Sequence, residues 1–362
     1  MSVPIFVVFV FVLCTSVSAA GAADCTCGDI CVNTTGWWRA GGTVNASETP
    51  IQAAVDFAAE GDTVCVKDGT YTENVDVDKR LTIRSENGSD STIVDAADSS
   101  GSVFHVGVDY VNINGFTVKG AIDTECAGIS LTYAEHCNIS GNNASKNRQG
   151  ISLFSSSNNT ITNNKVSENN YFGIALVSSS SNTITNNYAS HTNGTGIGLS
   201  KNSSSNIVTG NNASYNIGGS GVALANSGNN TLRDNVMSGN RYNFDADGVS
   251  YSELDNDIDL SNLVDGKPIY YLVDASDTVI DSATNAGTVY CIHCDNVTVK
   301  DLTLETNFFG ILFYNTNNSR IENNNISFCN VGIALDSSSN NGITGNDIGE
   351  GSYSIALWES RG

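Results

Sequence analysis

Two thiols and an imidazole fall close together at Cys291-Ile292-His293-Cys294. Such ligands suit a soft metal, so this is one candidate site. A structural reading competes with it. If Val289 takes the strand position of Ile311, Cys291 falls in register with Phe313 and points inward. His293 then shares that side of the strand and Cys294 lies near the bend. Carboxylates gather at Asp245, Asp247, Asp257 and Asp259. Calcium takes such oxygen donors, but the full calcium-loop spacing is missing, and a solvated acidic loop is the alternative.

A third cluster is Cys25-x-Cys27-x3-Cys31, with Cys65 further on. Its residues suit either a zinc site or two disulfides. Residues 3–13 (VPIFVVFVFVL) followed by SVSAAGAAD resemble a secretory leader spanning residues 1–23, and export favours disulfides. The pairs would pin residues 24–48 to the first coil. Cys14 leaves with the leader, so the remaining cysteines are odd in number and at least one stays outside intrachain pairs. Cys126 and Cys137 flank one strand and form a further candidate pair. The mature chain is expected to be secreted or periplasmic, with no transmembrane span.

Net charge is −22, and charged residues make up only 15 % of the chain. An acidic surface repels nucleic acid and anionic lipid, so neither is an expected partner. Polysaccharide lyase or hydrolase chemistry needs rows of basic or paired acidic side chains. Bases in the repeats are scattered at Lys146, Arg148, Lys165 and Lys201, and acids at Glu168, Asp234 and Glu322. His105, His136 and His191 have no evident partner. No residue set is therefore assigned to catalysis. Aromatic side chains at Tyr171, Phe172, Tyr188, Tyr215, Tyr242, Tyr251, Tyr314 and Trp358 either line an outer, glycan-binding face or fill the core.

The elements that must position these residues are repeats. GISL stands at 128–131 and 150–153, GIAL at 173–176, GIGL at 196–199 and GVAL at 221–224. GILF, GIAL and SIAL follow at 310–313, 332–335 and 354–357. Words like NTIT separate them, and NTITNN occurs twice. The period of 22–25 residues is that of a solenoid, and the apolar spacing of two inside each unit makes the units strands. The expected fold is all-β: a right-handed, single-stranded parallel β-helix occupying residues 49–362. Stacked coils would place Ile over Ile and Leu over Leu. Asn at the bends would hydrogen-bond its copies above and below, a ladder that Asp would break by charge repulsion.

Thr49-Pro50-Ile51 reads as N-cap, N1 proline and helix start, with Ile51, Ala54, Val55 and Ala58 on one face. A helix over 49–61 would cover the open end of the core. The rhythm breaks at 241–286, read as an insert, and resumes at Val289. The chain stops at Gly362 without a cap or anchor, which suggests a fragment.

IQAAVDFAAEGDTVCVKDGTYTENVDVDKRLTIRS (51–85), the GIxL and NTITNN coils, and DLSNLVDGKPIYYLVD (259–274) together resemble the NosD-type β-helix proteins. CTCGDICVNTTGWW (25–38) is similar to a segment of archaeal surface β-helix proteins. The resemblance implies a periplasmic or cell-surface protein. It also implies an association with copper, for which Cys291, His293 and Cys294 would be the place here. The leading expectation is a structural or binding module for glycans or cell-surface components. Copper handling and polysaccharide cleavage are the alternatives.

Overall fold

The computed structural model describes residues 25–361, and the leader lies outside them. The chain is a right-handed parallel β-helix of about 13 turns. The repeated words form its rungs. Phe172–Val177 pairs in parallel with Gln149–Phe154 before it and Thr195–Ser200 after it, so Ile151, Ile174 and Ile197 stack in register. Leu153, Leu176 and Leu199 form a second column, and all six side chains are buried. Each such burial contributes roughly 1.5–3 kcal/mol. The glycine that opens each word has its own cause. A Cβ on Gly173 would lie 2.5 Å from the Gly196 carbonyl oxygen of the next coil, and one on Gly310 would lie 2.6 Å from that of Gly332.

The NTIT words form a second sheet, with Ile161, Ile184 and Val208 in register. The asparagines behave as the ladder argument requires, and in more files than the repeated word suggests. Asn164, Asn187, Asn211 and Asn235 form one file, buried to 2 % exposure or less. Asn159, Asn182, Asn206 and Asn230 form another. Asn163 and Asn186 take left-handed conformations at the outer bend instead.

Helix Pro50–Phe57 covers the first end of the core with Ile51, Ala54 and Val55. It is shorter than expected. Thr49 makes no side-chain cap bond. Its role passes to Glu73, whose carboxylate accepts the Ile51 and Gln52 amides at 3.1 and 2.8 Å. Cys25–Cys31 and Cys27–Cys65 are disulfides, and the second ties the N-terminal segment to strand Thr63–Val66. Cys126 and Cys137 do not pair. The extended strand Ala127–Thr132 separates them, and its length, roughly 20 Å at about 3.3 Å per residue, exceeds disulfide reach.

Residues 241–286 are not an insert in one continuous helix. Tyr242–Asp247 pairs with Ser220–Ala225 and closes a first stack. Leu263–Val264 and Lys267–Val273 form an antiparallel turn, and the latter strand opens a second stack that runs through Thr288–Ile292, Phe309–Tyr314, Val331–Asp336 and Tyr353–Trp358. The reversal starts a new helix with a separate core around Val289, Cys291, Ile311 and Phe313. The outer face of its leading sheet carries Tyr271, Tyr290 and Phe309, which join the core of the first stack. The second stack therefore caps the open end of the first, as the helix does at the other end. Capping removes an exposed strand edge.

Candidate functional site

The junction of the two stacks gathers polar chemistry as well as apolar contacts. Phe244 of the last rung of the first stack meets Tyr290 of the second edge to face, 5.4 Å between ring centres. The Tyr290 hydroxyl accepts the Ala246 amide at 3.4 Å. Thr306 accepts the Asn243 amide and Phe244 accepts that of Phe308, so the free edge of the first stack is partly sealed by main chain.

Beside this seam runs a file of turn residues on consecutive coils of the second stack, Asp274, His293, Asn315, Ser337 and Glu359. All five are left-handed, with φ between 46° and 56°. The position recurs because each amide donates to the coil above: Asp274 to Ile292, His293 to Tyr314, Asn315 to Asp336. Helix Tyr251–Leu254 of the first stack lies alongside. The Tyr251 hydroxyl donates to Asp274 Oδ2 at 2.9 Å, and His293 Nδ1 meets Asp274 Oδ1 at 2.6 Å. With Asn315 these residues line a shallow, open surface cavity of about 340 Å³. The hydrogen bond from His293, then that from Tyr251, holds the Asp274 carboxyl below its usual range. The same bond to Asp274, and then desolvation, pushes the Tyr251 phenol up to about 12.

His293 thus leaves the cysteines it was grouped with. Cys291 is inward and in register with Phe313, as the spacing predicted, and Cys294 is buried with it. The left-handed turn at His293 breaks the alternation of the strand, so its ring points to Asp274 on the outside. The four candidate calcium ligands also part. Asp257 and Asp259 both pair with Arg233, on the NTIT side of the coil. Asp245 and Asp247 lie on the outer face of Tyr242–Asp247, in the files of Ala223 and Ala225. Among the described residues no group of three His, Cys, Asp or Glu side chains is placed to hold a metal ion.

Asp245 has a buried Oδ1 without a hydrogen-bond partner. Burial, and then the charge of Asp247, raises its carboxyl well above the usual range. Folding therefore favours its protonated form. That contribution is fully present below the unfolded pKa of about 4 and is lost as pH rises through the folded range. Asp245→Ala, which continues the small-residue file of Ala175, Gly198 and Ala223, is expected to gain about 1–3 kcal/mol at pH 7, the cost of an unpartnered buried polar group. Urea unfolding at pH 7 and pH 4 checks this. The gain should shrink at pH 4, and a loss at pH 7 would contradict it.

None of the eight aromatic candidates fills the core to completion; Tyr171, Tyr188, Tyr215 and Trp358 are exposed and the rest half-buried. Several are already occupied: Arg148 lies over Tyr171, and His191 stacks on Tyr215. Tyr242, Tyr251 and Tyr314 collect at the junction, where Tyr242 reaches Asn330 and Tyr314 reaches Val249. Sequence reasoning missed Asp274 and Asn315. Their only signal was the register of turns on successive coils, one period apart.

The family model described as "Periplasmic copper-binding protein (NosD)" matches residues 55–267 and 254–362. No protein of curated function matches the sequence. Among solved structures, the chain is similar to the A-module of the mannuronan C-5 epimerase AlgE6 of Azotobacter vinelandii. Identity is 16 %, coverage 87 % of this chain and 95 % of that one, and the TM-score 0.53. It is also similar to the pre-mature gene product 12 of bacteriophage phi29, at 13 % identity, covering 86 % and 53 % of the two chains, with a TM-score of 0.54. At these identities the likeness shows the parallel β-helix alone. The copper of the family description does not fit the residues nominated for it, since the two thiols face the core and the imidazole faces Asp274. The match to the family model extends over almost all of the two stacks, and the chain belongs to the NosD family.

Proposed function

We propose that this protein is an extracytoplasmic binding module for uncharged or cationic carbohydrate, held at the junction of its two stacks. One observation carries the reading: the cavity lined by Tyr251, Asp274, His293 and Asn315. It offers an aromatic ring beside amide, imidazole and carboxylate groups, the mixture that sugar faces and hydroxyls require. The net charge of −22 disfavours acidic glycans. Two disulfides and the periplasmic description of the family support a place outside the cytoplasm. No described helix is long and apolar enough to cross a membrane. Copper handling rests on the family description, and no site geometry among the described residues favours it.

A glycan array on the mature chain tests the proposal. Retention of neutral or amino-sugar glycans is expected, with Tyr251→Ala or Asn315→Ala weakening it about tenfold, which corresponds to about 1.4 kcal/mol. Absence of any retained glycan, or retention indifferent to both changes, would refute it. Stoichiometric copper after exhaustive dialysis would favour the metal reading instead.

A further inference from the structure

We propose that the Asp274–His293 pair is a general base that hydrolyses acyl esters carried on a neutral glycan. The proposal rests on the carbohydrate reading of the same cavity and adds a reaction to it. Asp274 Oδ1 lies 2.6 Å from His293 Nδ1, which places the imidazole proton on Nδ1 and leaves the Nε2 lone pair free. Asp274 Oδ2 is held in turn by the Tyr251 hydroxyl, and the Tyr251 ring stands edge-on to the imidazole at 5.5 Å. The imidazole is thus fixed in tautomer, in plane and against a wall. The pair stands at the surface, with 56 % and 58 % of the His293 and Asp274 side chains exposed, so water reaches the imidazole directly.

The turn file supplies the remaining parts. Asn315 takes the next coil position after His293, about 4.8 Å along the stack. Its side-chain amide can therefore donate to an oxygen that develops charge beside the imidazole. The cavity lining contains no serine, threonine or cysteine to act as nucleophile, and no lysine or arginine to neutralise an acidic sugar. This directs the chemistry to water as the attacking group and to an uncharged ester as the substrate.

The step balances without any further reactant. His293 Nε2 takes a proton from water as its oxygen bonds to the ester carbonyl carbon. Asn315 holds the resulting oxyanion, and ionised Asp274 stabilises the imidazolium. The tetrahedral centre collapses by breaking the bond to the sugar oxygen. The imidazolium returns its proton to that oxygen, leaving a carboxylic acid and a free hydroxyl. His293 is the catalytic residue; Asp274 and Tyr251 are positioning residues.

The assay uses the mature chain with p-nitrophenyl acetate and with an O-acetylated neutral polysaccharide, following acetate release. His293→Asn, which keeps a residue tolerant of the left-handed turn, should lower kcat/KM about 100-fold or more, as loss of a general base does. Asp274→Asn, which removes the carboxylate that accepts the Nδ1 proton, should lower kcat about tenfold or more and change KM far less, a split that a merely structural role would not give. Glycan retention without acetate release by the wild type overturns the catalytic proposal and leaves the binding reading standing. Loss of both retention and release removes the two together. Release that survives in His293→Asn, with the melting temperature unchanged, also overturns it.

Discussion

Asn187→Asp is expected to cost about 3 kcal/mol or more at pH 7, and distinctly less near pH 4. Asn187 is 2 % exposed and uses its amide in both directions. Its Oδ1 accepts the Asn164 main-chain and side-chain N–H groups at 3.0 and 3.1 Å. Its Nδ2 donates to the Ile161 carbonyl at 2.8 Å, the Thr185 carbonyl at 3.1 Å and Asn211 Oδ1 at 3.1 Å. A carboxylate keeps the accepting side but turns the donating side into an acceptor facing three acceptors. Folding would favour its protonated form, so the folded pKa lies above the unfolded one. The penalty is therefore smallest below about pH 4 and grows as pH rises. Urea unfolding at several pH values measures it. The neighbouring Asn186→Asp is the control, because Asn186 is exposed at the outer bend and its change should stay within about 0.5 kcal/mol. Equal effects at the two positions would show that the ladder does not carry stability.

The second large effect is at the junction. Tyr290→Ala should lose about 3–5 kcal/mol and split the unfolding of the protein into two transitions. Tyr290 is fully buried. Its ring stacks on Tyr271 at 5.3 Å and meets Phe244 at 5.4 Å and Phe309 at 6.1 Å. Truncation leaves a cavity bounded by both stacks and removes the acceptor of the Ala246 amide. Each stack keeps its own column of aliphatic residues, so each can remain folded after the contact is lost. Calorimetry should resolve two peaks where the parent chain shows one. A single peak shifted by less than a few degrees would mean that the seam contributes little.

Both predictions depend on features of different legibility. The ladder could be inferred from NTITNN because stacking is a local rule repeated at a fixed interval, and any polar residue brought inward must meet its own copy. The inward position of Cys291 followed from the same rule, through the register of Val289 with Ile311. His293 escaped the rule: strand alternation placed it beside Cys291, whereas the chain had already left the strand for a left-handed bend. Thr49 was assigned a cap that Glu73 supplies, because the carboxylate arrives from a coil 22 residues away and no local pattern announces it. That Cys25, Cys27, Cys31 and Cys65 form two disulfides was legible, their pairing was not, and the Cys126–Cys137 candidate failed.

What the amino-acid sequence determined alone is the coil: its period, the inward Ile and Leu columns, the asparagine ladders, and hence membership of the β-helix class. These depend only on neighbours one period away, and parallel register repeats one solution along the chain. Tertiary structure decided that there are two stacks, that the outer face of the second closes the first, and that Tyr251, Asp274, His293 and Asn315 share a cavity. The reason is physical. Packing between the stacks depends on shape and burial across surfaces with no common period, and a reversal at Leu263–Lys267 sets their meeting, which no repeat encodes.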